Sequence, residues 1–323
     1  MKALVYREYG APDVLALAEV ERPTPKDDEV LVRVHAASVN SWDWDLLRGQ
    51  PWLTRIGGWR APKHPILGCD VAGTVEAVGR RAPTFAVGDE VFGDLSGGGW
   101  GGFAPWVCAK DGELARKPTS VTFEDAAALP QAGVLALQGL RQGEGDGRAR
   151  EVLLNGAGGG VGTIALQIAK HRGARVTCVD APDKLPMLQS LGADAVIDYT
   201  RDDFTHGDIR YDVILDVVGR AAISSLLRAL APKGAYVMVG GPMSNILRTA
   251  ALGLPIRWLT GKRLGLLIHR PNRGDLETLA QLCEAGVVTP VIDRQCALSE
   301  VPQALADLGA GRVQGKLVVT LGG

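Results

Sequence analysis

The apolar run Glu151-Val152-Leu153-Leu154-Asn155 passes directly into Gly156-Ala157-Gly158-Gly159-Gly160-Val161-Gly162, and a helical pattern over Val161–His171 begins at once. Glycines at such a strand-to-helix turn permit a tight reversal, let backbone N–H groups approach a pyrophosphate, and let the helix pack on the strand. The helix N-terminus then favours the negative charge. Only Gly159 and Gly162 keep the register of a G-x-G-x-x-G pattern, because Ala157 takes the first glycine position. The next strand-like run ends in Asp180, about 18 residues after Gly162, where a carboxylate can bond ribose hydroxyls. A βα turn whose glycines only serve packing, and an aspartate that caps the next helix, are the plainer readings of the same residues. Asp180 would repel a 2′-phosphate, whereas Lys184 and Tyr199 nearby can attract or pack against one. The candidate cofactor is therefore NAD(P)H, with Asp180 leaning to NADH. Gly158, Gly159, Gly160, Val161 and Gly162 are the binding loop, and Val218 and Gly240, which follow later strand-like runs, join the candidate set.

The elements around the loop explain how it would be positioned. Apolar runs at 152–154, 175–179, 195–197, 212–215 and 235–239 alternate with helical patterns at 161–171, 183–191 and 221–230. Strands spaced by amphipathic helices mean βαβ units and a parallel sheet. The first 120 or so residues differ: short strands at 29–39, 71–78, 90–92 and 106–109, punctuated by glycine and proline, predict an all-β half. Thr122-Phe123-Glu124-Asp125 reads as a helix cap, opening an alanine-rich helical run to about Arg141 that breaks or kinks at Pro130. A last strand, Lys316 to Leu321, lies beyond the parallel sheet and is expected to return to the first domain.

A chain of 323 residues with 46% hydrophobic and 22% charged residues suits two globular domains. The net charge of −1 gives no field for polyanions, which argues against nucleic acid as the main partner. The N-terminal residues Met1 to Glu8 lack a signal-peptide pattern, and the apolar stretch from Ile246 to Ile268 is interrupted by Arg248, Arg257, Lys262, Arg263 and Pro255. No integral membrane segment is expected. The segment from Met243 to Arg270 reads as a substrate lid, a dimer contact or a membrane-surface contact, and its proline and glycines argue against one long helix. The five cysteines, scattered and without a C-x-x-C pair, suit reduced thiols in a cytoplasmic protein.

Gly68-Cys69-Asp70-Val71-Ala72-Gly73-Thr74-Val75-Glu76-Ala77-Val78-Gly79, Val87-Gly88-Asp89-Glu90-Val91-Phe92-Gly93, the Gly156–Gly162 turn, Leu191-Gly192-Ala193-Asp194 and Gly315-Lys316-Leu317-Val318-Val319 together resemble the medium-chain dehydrogenase/reductase superfamily. Ser38-Val39-Asn40-Ser41-Trp42-Asp43-Trp44 and Val288-Thr289-Pro290-Val291-Ile292-Asp293-Arg294 resemble its quinone oxidoreductase branch, in particular the group of the reticulon-interacting oxidoreductase and chloroplast-envelope quinone oxidoreductase homologues. The resemblance implies an α/β fold. A GroES-like β-rich catalytic domain (1–121 and 288–323) would accompany a Rossmann doubly wound parallel-sheet domain (122–287), with a substrate cleft at their junction and a homodimer as the assembly.

Zinc-dependent relatives carry cysteine, histidine and cysteine where this chain matches with Asn40, Cys69 and the region around Pro130. One thiol does not make a catalytic zinc site, so the resemblance implies a metal-free enzyme. Without a Lewis acid an unactivated alcohol is a poor substrate, and a quinone or α,β-unsaturated carbonyl is the better hydride acceptor. By resemblance Asn40 and Asp43 are the catalytic candidates. Asn40 sits on the cleft floor, where its amide can hydrogen-bond a substrate carbonyl or the cofactor, with a turn asparagine bonding backbone as the plainer reading. Asp43 either orients Asn40, relays a proton or caps a helix. Arg312 matches a phosphate-contacting stretch, with an exposed salt bridge as its plainer role. His64 and Lys63 are candidate proton donors or solvated loop residues. Tryptophans 42, 44, 52, 59, 100 and 106 suit either a flat apolar substrate or core packing. Arg48-Gly49-Gln50-Pro51-Trp52 lacks the tyrosine of enoyl reductases, and Leu135 replaces a usual threonine near the nicotinamide. The leading reading is an NAD(P)H-dependent, zinc-independent reductase of a quinone or quinone-like enone. The alternatives are a 2-alkenal/enone double-bond reductase and a non-catalytic dinucleotide-binding sensor or scaffold.

Overall fold

The computed structural model describes residues 1–56, 58–145, 147 and 149–321. By compactness the chain divides into Met1–Val134 with Arg270–Gly323, and Leu135–His269. The first unit opens with β1 (Lys2–Val5), β2 (Ala16–Glu19) and the long β3 (Glu29–Val39). Helix α1 (Ser41–Arg48) follows β3, a correction to the all-β expectation for this half. Strands β4 (Asp70–Val78), β5 (Glu90–Asp94), β6 (Trp106–Lys110) and β7 (Leu114–Arg116) complete its first pass. Thr122 caps α2 (Phe123–Ala127) by accepting the Asp125 N–H at 3.1 Å. Pro130 opens α3 (Pro130–Glu144), where a ring without an N–H costs nothing. The predicted helical run therefore breaks in two just before this proline.

The second unit alternates β8 (Glu151–Asn155), α4 (Gly160–His171), β9 (Arg175–Asp180), α5 (Leu185–Ser190) and β10 (Ala195–Asp198). It continues with β11 (Tyr211–Asp216), α6 (Ile223–Ala229), β12 (Leu230–Met238), α7 (Met243–Thr260) and β13 (Arg263–Leu266). All pairings are parallel and the order is β10-β9-β8-β11-β12-β13. This is the doubly wound arrangement, whose strand order reverses between β8 and β11. Its core packs Leu153, Val179, Ile214, Leu226 and Tyr236 together.

Helix α7 corrects the expectation for residues 243–270, since its 18 residues run unbroken through Pro255. Its glycine is a packing device: a Cβ on Gly253 would lie 2.6 Å from the Leu264 carbonyl oxygen of β13. Tertiary contact thus overrides the weak local propensity. Trp258, at 95% exposure, lies on its outer side with Leu254 and Leu259. Among the described residues no helix is long and apolar enough to cross a membrane.

The chain then returns to the first unit through α8 (Arg273–Glu284), β14 (Ile292–Ala297), α9 (Val301–Gly309) and β15 (Lys316–Thr320). As expected, β15 pairs with the first sheet, placing Leu317 opposite Val39 and Thr320 opposite Ala36. The order there is β14-β15-β3-β4-β5-β7, with β6 also on β3. Compactness assigns α2 and α8 to this unit, whereas the sequence pattern groups them with the parallel-sheet domain.

Candidate functional site

In the second unit the glycine turn leaves β8 at the point where the sheet order reverses. Gly156 adopts φ +78°, a conformation that favours glycine. A Cβ on Gly162 would overlap the Ala157 backbone, so this glycine lets α4 sit on the turn. A Cβ on Gly158 would come within 2.6 Å of the Lys184 side chain and 3.1 Å of Asp180 Oδ2. Gly159 is open, with only the Gly156 carbonyl oxygen at 3.8 Å from such a Cβ. By helix geometry the N–H groups of Gly160, Val161 and Gly162, in the first turn of α4, have no acceptor inside the helix. Together with the open face of Gly159 they can hold a pyrophosphate.

Asp180 ends β9 and is 8% exposed. Its Oδ2 accepts the Gly158 N–H at 2.7 Å, its Oδ1 accepts the Ala181 N–H at 2.8 Å, and Lys184 Nζ stands 3.7 Å from Oδ1. The carboxylate thus braces the glycine turn. Tyr199, just past β10, donates its backbone N–H to the Asp180 carbonyl at 3.3 Å and leaves its ring exposed. Val218 is 38% exposed beside Gly156, 3.0 Å from where a Cβ would lie, and Gly240 follows the end of β12. The structure therefore brings Gly158 to Gly162, Asp180, Lys184 and Val218 together around one turn.

Sequence reasoning missed the network under this turn. Asp216, fully buried at the end of β11, accepts hydrogen bonds from Asn155 Nδ2 (2.8 Å), the Val218 and Gly219 N–H groups (2.9 and 2.8 Å) and Tyr236 Oη (3.0 Å). Burial pushes its carboxyl above the usual carboxylate range, and these four donors oppose the shift. A buried polar residue closing each of the apolar strands β8 and β11 was the available signal.

The first unit contains the Asn40 pocket. Asn40 joins β3 to α1 and is 6% exposed. Its Nδ2 donates to Asp70 Oδ2 at 2.9 Å and lies 3.4 Å from Cys69 Sγ. Its Oδ1 accepts from Lys316 Nζ. One amide hydrogen is thus taken by Asp70, and the other faces Cys69 Sγ and, at 3.5 Å, the Ser38 carbonyl oxygen. Asp43 is fully buried; its two oxygens accept the N–H groups of Asn40 and Gly68, each at 2.8 Å. That is the orienting and helix-capping arrangement, with α1 stapled to the loop before β4. Burial pushes the Asp43 carboxyl up to about 7, against those two backbone hydrogen bonds.

Asp70 is the centre of this pocket. Its Oδ1 accepts the Gln131 N–H at 2.9 Å, while Oδ2 accepts Ser38 Oγ at 2.9 Å and faces Lys316 Nζ at 3.3 Å. Gln131, at the start of α3, also points its amide at Cys69 Sγ, 3.3 Å away. Asp70, Gln131 and Lys316 were not among the sequence candidates, although Asp70 and Lys316 lie inside the motifs that carried the resemblance. Arg312 pairs with Asp307 at 2.6 Å and is exposed. His64 Nδ1 contacts the Gly99 carbonyl at 3.1 Å. Trp100 is buried and stacks on the exposed Trp42 with centroids 6.2 Å apart; Trp52 and Trp59 stack at 5.8 Å, both exposed.

The family described as "Alcohol dehydrogenase GroES-like domain" matches residues 26–119, and "Zinc-binding dehydrogenase" matches residues 191–319. A 2-methylene-furan-3-one reductase of Solanum lycopersicum is 32% identical over 99% of this chain and 79% of its own length. A chloroplast envelope quinone oxidoreductase homolog of Arabidopsis thaliana is 32% identical over 99% of this chain and 98% of its own. This chain belongs to the medium-chain dehydrogenase/reductase superfamily. Within it the chain falls in the quinone oxidoreductase branch, and the solved quinone oxidoreductase from Coxiella burnetii superposes with a TM-score of 0.89 at 29% identity, covering 99% of both chains.

For a medium-chain dehydrogenase/reductase one matched description implies zinc, so the donor set decides. Cys69, Asp70 and Asp94 are buried and their ligand atoms lie within 4.8 Å of one another. Yet Asp70 already accepts from four donors, Ser38, Asn40, Gln131 and Lys316, besides the weak Cys69 S–H contact at 3.8 Å, and one of the four is an ammonium. Zinc needs three free protein ligands and an open position, whereas Asp70 is already committed to these donors and the Lys316 ammonium stands 3.3 Å from it. These residues as arranged do not fit a zinc ion.

Proposed function

We propose that the chain transfers hydride from a bound NAD(P)H to a quinone or quinone-like enone without a metal ion. The Gly156–Gly162 turn carries the proposal: unpartnered first-turn N–H groups of α4 beside the open Gly159, at the strand-order reversal where doubly wound sheets bind nucleotides. When bound, the dinucleotide supplies a hydride from nicotinamide C4. The chain's own part is to hold it. Gly160, Val161 and Gly162 cradle the pyrophosphate, Asp180 fixes the cradle through Gly158, and Lys184 and Tyr199 flank the ribose.

The Asp180 charge favours NADH over NADPH, with Lys184 offsetting part of that preference. Val218, braced by Asp216, and Gly240 shape the nicotinamide end. Asn40 and Asp43 act as positioning residues in the catalytic unit, and Arg312 as a phosphate contact after release from Asp307. A quinone or enone suits a metal-free site, because negative charge left after hydride arrival is already delocalised over the acceptor. The relatives named as a quinone oxidoreductase homolog and a furanone reductase support the same acceptor class. The working protein is a cytoplasmic homodimer in this reading.

The test is oxidation of NADH and NADPH by purified, chelator-treated protein against a panel of quinones and enals. Acceptor-dependent oxidation is the expected result. Tight cofactor binding with no oxidation by any acceptor would replace the proposal with a dinucleotide sensor.

A further inference from the structure

Lys316 is the one cation within contact of the Asn40 pocket among its described hydrogen-bond partners, and it is 5% exposed. Its ammonium reaches the Asn40 amide oxygen, the Val39 carbonyl at 3.3 Å and Asp70 Oδ2 at 3.3 Å. A buried ammonium is costly unless it is paired and hydrogen-bonded, and here it is both. The three acceptors come from the end of β3 and the start of β4, while Lys316 begins β15, at the other end of the chain. The register that places Leu317 opposite Val39 fixes the lysine over this pocket.

The same pocket gathers the thiol and carboxylates of Cys69, Asp70 and Asp94. A thiol and two carboxylates supply the donor number and type of a divalent zinc or cobalt site. We infer that Lys316 is the resident internal cation of this pocket: it takes the place of a metal ion, holds Asn40 and Asp70 in register, and shuts the pocket to divalent metals. The inference rests on the metal-free reading above and adds to it the residue that enforces it. Two effects oppose metal entry while Lys316 stays: its own ammonium repels the ion, and its bond to Asp70 withholds a ligand. Arginine would preserve both effects; alanine would remove both and leave Asp70 without its cation.

Cobalt(II) is the probe, added to wild type, Lys316→Arg, Lys316→Ala and the Lys316→Ala/Cys69→Ser double variant, with bound metal and near-ultraviolet absorption recorded. Wild type and Lys316→Arg should take up none. Lys316→Ala should bind about one cobalt per chain with a thiolate-to-cobalt charge-transfer band, and the double variant should lose that band. Should Lys316→Ala fold only when metal is supplied, the inference also stands. It is overturned if wild type binds cobalt through Cys69, if folded Lys316→Ala binds none, or if Lys316→Ala fails to fold with or without metal. Metal uptake needs no turnover, so this outcome is independent of whether the proposed hydride transfer is found.

Discussion

The Asp180 carboxylate accepts the backbone N–H of Gly158 at 2.7 Å while Lys184 stands 3.7 Å from its other oxygen. One residue thus braces the glycine turn and presents negative charge next to it. Replacing it by serine removes the repulsion of a 2′-phosphate and leaves Lys184 uncompensated. Asp180→Ser should raise the NADPH:NADH ratio of kcat/KM by roughly tenfold, about 1.4 kcal/mol. An unchanged ratio in steady-state kinetics would show that Asp180 does not set cofactor choice.

Glycines of the turn separate folding from binding. Gly162→Val places a side chain into the Ala157 backbone and should cost about 1–3 kcal/mol in urea denaturation. Gly159→Ala meets only the Gly156 carbonyl at 3.8 Å, so its stability should change by less than about 1 kcal/mol. The added methyl nevertheless stands where a pyrophosphate would approach, and NAD(P)H affinity, followed by fluorescence titration, should fall severalfold. Full affinity in Gly159→Ala would contradict the placement of the phosphates.

Asp43 gives a pH signature. Its carboxyl is pushed up to about 7 by burial, against about 3.9 in an unfolded chain. The folded protein therefore binds this proton more tightly, and the associated stability is present at low pH and lost as pH rises through roughly 4 to 7. Between pH 5 and pH 8, wild type should lose more stability than Asp43→Asn, which cannot titrate there. Asp43→Ala, which leaves the Asn40 and Gly68 N–H groups unpaired, should cost about 2–6 kcal/mol. Parallel stability curves for wild type and Asp43→Asn would count against the shift.

Asp216 holds Val218, Gly219, Asn155 and Tyr236 at once. Asp216→Ala should destabilise the second unit by at least about 3 kcal/mol and weaken nicotinamide binding. Differential calorimetry showing no loss would mean that these donors find other partners.

The alternation of strands and helices made the parallel sheet and the glycine turn legible in the sequence, because the period changes and the glycine cluster are local signals. Asp180 was legible as a strand-end acid, but its turn toward Gly158 depends on a rotamer that spacing does not encode. Helix α7 was hidden by Pro255 and Gly253, residues whose local penalties are offset by packing on β13. Lys316 was hidden for another reason: it lies 246 residues from Asp70, and only the pairing of β15 with β3 joins them. Contacts of that separation leave no pattern in a single sequence.

The most direct measurement follows deuterium from NADH or NADPH carrying two deuteriums at C4 into a simple enone, using protein stripped with a chelator. Label at the β-carbon of the saturated product, formed at the same rate before and after metal removal, is the predicted result. Product without label, or a rate that collapses on chelation and returns with zinc, would contradict metal-free hydride transfer.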